Sequence, residues 1–365
     1  MIRTIDYSAL TGPVAAADVT AFKAAAKLRP NYTGTSPVGQ IIAVVVVTFM
    51  LGIFLLSFLG VGASFIVSIG DGSPAVTLVV VIFVAIFLGV AGLIVWAIIR
   101  SITGGGGRWE RWLRLDRFAT ANGLVFSPVD ANPQYPGAIF SSGSSRAAID
   151  HLRSASERFL DYGNYRYVTS NGKSSTTHNW GFMALQLDRS LPHMVLDSKA
   201  NNGLFGGSNL PATFSKDQVL SLEGNFNEFF TLYCPKQYER DALYVFTPDL
   251  MALLIDNVAP YDVEIVDRWM FVYSGMAFDL RQPAVHQRLL SIVDTVGAKT
   301  LTQTDRYQDE RITTFAENVV APQGKRLRRG FSVGAIIFLV ALVLVFVGPL
   351  FLSVFAAFFG LISGN

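Results

Sequence analysis

Three stretches of the chain carry no charged residue: Gly39–Ile69, Gly72–Ile99 and Phe331–Asn365. Inside them, Ile41–Leu59, Ala75–Ile99 and Val333–Phe359 are dense in Val, Ile, Leu, Phe and Ala. A bilayer-spanning helix needs roughly 20 mostly apolar residues. The pattern therefore predicts three transmembrane helices, at 39–69, 72–99 and 331–360. The first follows about forty residues that include Lys, Arg and Asp, unlike a cleaved signal peptide with its short apolar run near the start.

Elsewhere the periodicity changes. Pro13–Leu28 reads as a short helix, with Val14, Ala17, Ala21, Ala25 and Leu28 at helical spacing. Trp109–Asn122 reads as a helix that Gly123 closes in a left-handed cap, and Arg146–Leu160 as another. Strand-like segments are Tyr162–Thr169, Trp180–Leu187, Met194–Leu196, Val219–Glu223 and Phe229–Cys234. Thr247-Pro248-Asp249 predicts a helix start, with a capping hydroxyl, proline at the first position, then an acid. Val263–Val266 and Trp269–Tyr273 read as an antiparallel pair turning at Asp267-Arg268, and Pro283–Ala298 as a helix. The resulting fold class is a membrane protein: three transmembrane α-helices plus an α+β soluble domain with a mainly antiparallel sheet.

The expected domain order is a cytoplasmic N-terminal segment (1–38), helix 39–69, helix 72–99, a Gly-rich hinge (100–107), a cytoplasmic α+β domain (108–329), helix 331–360 and an external tail (361–365). Four consecutive glycines, Gly104–Gly107, make the hinge a flexible joint.

Composition agrees with the apolar runs: 51% of residues are hydrophobic and only 15% charged, against about 25% charged in a soluble domain. Disorder is excluded by the same numbers. The net charge of +2 gives no global case for nucleic acid. Between Phe118 and Gly324, 22 Asp and Glu outnumber 16 Lys and Arg, whereas phosphate binding needs a basic face. The basic residues gather beside the apolar runs. Lys23, Lys27, Arg29, Arg100, Arg108, Arg111, Lys325, Arg326, Arg328 and Arg329, with Trp109 and Trp112, are the expected membrane-interface residues. Under the positive-inside rule they place the N-terminus and the large domain in the cytoplasm of a bacterial inner membrane, and the C-terminus outside. Ordinary helix packing is the competing reading for the two tryptophans.

Chemistry is sparse. No ionisable residue lies inside the three runs, which weakens a transporter or proton-channel reading. A lone cysteine, Cys234, excludes an intramolecular disulfide and a Cys-based zinc cluster, and its default role is a buried small hydrophobe. His151, His178, His193 and His286 show no mutual metal-ligand spacing. Gly172-Lys173-Ser174 ends like a Walker loop, but Tyr167 stands where the first glycine belongs. Asn171-Gly172 is read instead as a hairpin turn. Asp305, Asp309 and Glu310, interleaved with Arg306 and Arg311, read as an ion-paired helical face. Asp197, followed by Asn201, Asn202 and Gly203, opens a turn-rich loop running to Asn209. Such loops are usually connections and sometimes bind ligands.

Leu220-Ser-Leu-Glu-Gly-Asn-Phe-Asn-Glu-Phe-Phe-Thr-Leu-Tyr233, followed by Glu239-Arg-Asp-Ala-Leu-Tyr-Val-Phe-Thr-Pro-Asp-Leu-Met251, resembles the core of an uncharacterised bacterial family, domain of unknown function 3137. The likeness covers about 219–278. It implies a membrane-tethered cytoplasmic domain and brings no catalytic residues. The stretch before Val219 and the third apolar run depart from the family pattern.

These readings lead to a membrane-tethered interaction or scaffold module, serving envelope organisation or as an accessory subunit of a membrane complex. The alternative is a membrane-surface enzyme acting on a lipid-linked or peptide substrate. The expected partners are the lipid bilayer and a protein or membrane complex, with homo-oligomerisation compatible and nucleic acid excluded. No catalytic residue, cofactor or metal is assigned.

Overall fold

The computed structural model describes residues 4–29, 32, 52, 89, 92, 105–155, 158–202, 208–312 and 318–329. No helix among these residues is long and apolar enough to cross a membrane. This corrects the three-span membrane fold class and the multi-pass description that goes with it. What is described is an antiparallel sheet with short helices. The predicted helices at 39–69, 72–99 and 331–360 lie outside the described residues, apart from Gly52, Gly89 and Gly92. Missing charge records only that a segment is apolar, whereas a span also needs about 30 Å of continuous helix.

The chain forms two compact units, Gly12–Leu115 and the remainder. In the smaller unit, helix α1 (Ala16–Ala26) is built largely of alanine. It begins three residues after Pro13, so Pro13 lies outside the helix it was expected to start. Helix α2 (Gly105–Ala121) contributes its residues up to Leu115. Trp112, Leu113, Leu115 and Ala26 are buried here. Trp109 and Trp112 meet edge-on at 5.1 Å, Phe22 packs on Trp109, and the Arg114 guanidinium donates to the Gly12 carbonyl at 2.7 Å.

The larger unit is organised by one sheet. Strands β1 (Leu124–Ala131), β2 (Ser144–Ser154), β3 (Leu160–Ser170) and β4 (Ser175–Ser198) follow as antiparallel neighbours. The short strands β5 (Val219–Leu220) and β6 (Phe230–Tyr233) extend the sheet beside the end of β4, and β7 (Asp262–Ser274) pairs along its other edge. The predicted Asn171-Gly172 turn joins β3 to β4. Gly172 has φ +84°, and Asn171 Oδ1 accepts the amides of Lys173 and Ser174.

β4 is 24 residues long and flanked on both edges, so from Trp180 on it is buried almost without alternation. The separate strands expected at Trp180–Leu187 and Met194–Leu196 are parts of it. β7 is also one strand, in place of the expected hairpin. Both of its halves pair with β4, and at the supposed turn Asp267 takes φ +54° opposite Leu191, where the extra residues of the register shifts lie on β4. Of the helix expected at Arg146–Leu160, Arg146–Ser154 is strand and Leu160 opens β3. The alanines and arginines of this stretch suit a helix, but Ala147, Ala148 and Leu152 are buried in ladders with β1 and β3, and bulges at Ser145 and Asp150 (φ +51° and +49°) hide the alternation. Opposite the second bulge, Gly163 is required by space: a Cβ there would lie 2.5 Å from His151 Cα.

The core is aromatic. Trp269, Phe271 and Tyr273 alternate along β7 and stack with interplanar angles of 13° and 9°, and Phe140 packs on Tyr165 and Phe182. Helices α3 (Glu239–Val245), α4 (Pro248–Val258), α5 (Pro283–Ile292) and α6 (Ala298–Thr304) belong to the same unit, with a π-turn, Val293–Gly297, between α5 and α6. α4 buries Leu250, Leu254 and Val258 at four-residue spacing. Its predicted hydroxyl cap is absent: Thr247 Oγ1 is buried and unpartnered among the described residues. A final strap, 318–329, crosses the sheet, tied by Asn318 to Ser190 and by Arg328 to Gln218.

Candidate functional site

Acids inside apolar strand runs mark the polar interior. Glu264 stands within Val263-Glu264-Ile265-Val266 and is 1% exposed. Its Oε2 accepts the Ala138 amide and the Tyr273 hydroxyl, each at 2.7 Å, and its Oε1 lies 2.7 Å from His193 Nε2. The Leu327 amide donates to His193 Nδ1 at 3.0 Å. A backbone N–H can only donate, so the ring proton sits on Nε2 and points at Glu264. Burial opposes charge on Glu264, but the donors from His193, Ala138 and Tyr273 outweigh it and hold the carboxyl below its usual range.

Asp161, between Leu160 and Tyr162, is fully buried. It accepts from Tyr135 at 2.6 Å and Arg153 at 3.0 Å, and lies 2.8 Å from His151 Nδ1. Burial again works against the charge, and His151, Tyr135 and Arg153 overcome it, keeping the carboxyl low. His151 Nε2 is buried without a hydrogen-bond partner among the described residues. A carboxylate-oriented imidazole is the arrangement of a general base, but this nitrogen is sealed from any substrate.

The other histidines are structural in their contacts. The His286 Nε2–H donates to the Leu280 carbonyl at 2.7 Å, so Nδ1 accepts from the Tyr162 hydroxyl. Burial lowers its pKa. His178 is on β4 and stacks on Tyr167. Cys234 is buried, and burial pushes its thiol up to about 12, with Glu239 and Asp241 adding to the effect.

The acidic helical face expected around Asp305 is corrected. α6 ends at Thr304, and Asp309 turns inward to accept the Tyr238 hydroxyl, the Ala321 amide and Arg311. Arg311 lies 4.0 Å from the Tyr238 ring centroid and also pairs with Asp241. Of the expected membrane-interface residues, Lys23 and Arg108 lie over the Trp109 ring, and Arg108 also over Trp112, which is 2% exposed. Arg326 donates to the Pro136 carbonyl, Arg328 pairs with Asp217, and Arg329 bridges to Phe214. Arg100 lies outside the described residues.

At the start of β7, Asp262 gathers the loop flagged in the sequence. Its carboxylate accepts the Ser198 amide at 2.8 Å and the Asn201 side chain at 3.2 Å, while the neighbouring Asp197 accepts from Ser208 at 2.6 Å. Among the described residues no three His, Cys, Asp or Glu converge as metal ligands.

A cleft of about 830 Å³ lies beside α5, the π-turn and the β1–β2 edge. Ile5, Leu124, Leu160, Leu185, Leu290 and Leu301 supply its apolar wall. Two of its polar side chains are engaged within the chain. Both Arg158 terminal nitrogens bind Asp188, and Asn122 binds Asp6 and the Phe118 carbonyl. The cleft was missed in the sequence. The buried acids had a readable signal, a charge inside an apolar strand run.

No protein-family model and no curated protein matches the chain. Among solved structures it is similar to the crystal structure of the mycobacterial trehalose monomycolate transport factor A, TtfA, at 10% identity, over 52% of this chain and 93% of that chain, with a TM-score of 0.36. At that score the likeness supports no inference about fold or function.

Proposed function

We propose that this chain is an interaction module, and that the cleft beside α5 takes an apolar segment of a protein partner. One observation carries the reading: Ile5, Leu124, Leu160, Leu185, Leu290 and Leu301 line one cleft, in which Arg158 and Asn122 are held by the chain's own hydrogen bonds. A peptide side chain docks on such a wall by apolar burial. The π-turn in the wall is a further support, because such turns recur at functional sites. The resemblance of residues 219–278 to domain of unknown function 3137 belongs to the same proposal, since it brings no catalytic machinery.

The test is site-specific photocrosslinking in cells, with the crosslinker at Thr295 in the cleft or at Lys173 on the β3–β4 turn. A discrete protein adduct from position 295 alone, lost in Leu290→Asp, is expected. Equal adducts from both positions, or an adduct of small-molecule mass, overturn the reading.

A further inference from the structure

The strap 318–329 turns at its centre. The 3₁₀ turn Pro322–Gly324 packs on Tyr238, where a Cβ on Gly324 would lie 2.5 Å from the ring, and the Ala321 amide before it is held by Asp309. The two arms of this turn, Val319-Val320 and Lys325-Arg326, line one cavity of about 250 Å³ together with Leu191 of β4 and Val266 and Asp267 of β7. This is the place where the β4–β7 ladder loses its regular register. Leu191 pairs with Asp267, β4 carries extra residues on both sides of it, and Asp267 takes φ +54°. Positive φ is uncommon outside glycine, and such irregularities re-aim side chains beside binding sites.

The lining has two characters. Leu191, Val266 and Val320 are at most 5% exposed and give it an apolar part. Asp267, Lys325 and Arg326 give it one negative and two positive groups. These charges border the same small space without pairing. Asp267 and Lys325 have no ion pair and no side-chain hydrogen bond among the described residues, and Arg326 gives one N–H to the Pro136 carbonyl at 2.9 Å.

We propose that this cavity binds a free aliphatic α-amino acid. The ligand's ammonium donates to Asp267. Its carboxylate accepts from Lys325 and from the guanidinium N–H groups of Arg326 that Pro136 leaves unused. Its side chain lies on Leu191, Val266 and Val320. Drug-sized ligands fill roughly 300–1,000 Å³, so a cavity of about 250 Å³ suits a smaller molecule. A wholly apolar occupant would leave the charges unmatched, and a simple anion or a simple amine would use only one sign of the lining. Charge-assisted hydrogen bonds at both ends would fix the ligand's orientation. The cavity shares no lining residue with the cleft beside α5, so this proposal is independent of the interaction reading.

Isothermal titration calorimetry of the purified full chain with L-leucine and L-valine tests it. The companions are 4-methylpentanoate, which lacks the ammonium, and isopentylamine, which lacks the carboxylate. At least one amino acid should bind saturably, and each companion should bind about tenfold more weakly or worse, the loss expected for a charge-assisted hydrogen bond. Asparagine tolerates positive φ as aspartate does, so Asp267→Asn keeps the backbone. It should lose the amino acid by a similar factor and erase the preference for leucine over 4-methylpentanoate. Lys325→Gln should narrow the preference for leucine over isopentylamine. Neither variant should shift the melting temperature of the unliganded protein, because neither parent charge has a partner among the described residues. No saturable binding of either amino acid overturns the site, as does binding that both variants leave unchanged. Equal binding of leucine and 4-methylpentanoate would mark a plain carboxylate site and overturns the proposal too.

Discussion

Tyr273 donates its hydroxyl to Glu264 at 2.7 Å, although the two residues are nine positions apart on one strand. An extended strand would separate them by roughly 30 Å. β7 must therefore bend over its own face, and Asp267, at φ +54° opposite the register shifts of β4, lies between its two ends. Aspartate tolerates that left-handed conformation better than a β-branched residue would. The bend brings a carboxylate and a phenol from opposite ends of the strand into one buried network, to which His193 adds the strap through Leu327.

Glu264→Gln should destabilise the unit severely. The carboxylate offers two acceptor oxygens to three donors, and the amide would turn an NH₂ group against at least one of them. Breaking a buried network of this kind costs about 3–5 kcal/mol. Tyr273→Phe leaves the Ala138 and His193 bonds in place and should cost only about 1–2 kcal/mol. Urea denaturation of the two variants checks the order, and equal losses would contradict the network.

His193→Ala strands the Leu327 amide, whose acceptor is the imidazole Nδ1. A buried N–H without a partner costs about 1–3 kcal/mol. The effect should be local: hydrogen exchange across 318–329 accelerates, while the β3–β4 ladder keeps its protection. Uniform acceleration over both segments would show that the strap is not held at this point.

Cys234 should be unreactive in the folded chain. Burial pushes the thiol up to about 12, so at pH 8 almost none of it is thiolate, the reactive form. A thiol reagent should label it only as fast as the protein opens, and labelling should become rapid in denaturant. Fast labelling of the native protein would place the sulfur elsewhere.

Asp262 predicts a pH dependence opposite to that of the other buried acids. Its folded pKa of about 7 lies above the unfolded value of about 3.9. The folded state therefore binds more protons between about pH 4 and 7, and stability falls as pH rises through that window. The contribution is whole below pH 4 and gone above 7. Asp262→Asn should remove this fall, worth on the order of a few kcal/mol. Asp161, Glu264 and Asp309, whose pKa values are depressed, give the opposite slope below pH 4 in both proteins. Melts of parent and variant isolate the difference, and parallel pH curves would refute it.

The sequence by itself determined the local pieces: the Asn171-Gly172 turn, the Gly123 cap, the α4 and α5 starts at Pro248 and Pro283, and the inert burial of Cys234. Each depends on neighbours within a few residues, where backbone sterics and propensity decide. It also flagged the 197–209 loop without saying what the loop meets. Only the tertiary structure decided that Arg146–Ser154 is a strand, that β7 is one bent strand rather than a hairpin, and that Asp305–Arg311 leaves the helix to bury Asp309. Ladder partners and buried hydrogen bonds outweigh local preference at those places, and they come from residues far along the chain. For the same reason the partnership of His193 with Glu264, and of Asp262 with Asn201 and Asn209, has no signature in spacing: the folded sheet, not the order of residues, sets those distances.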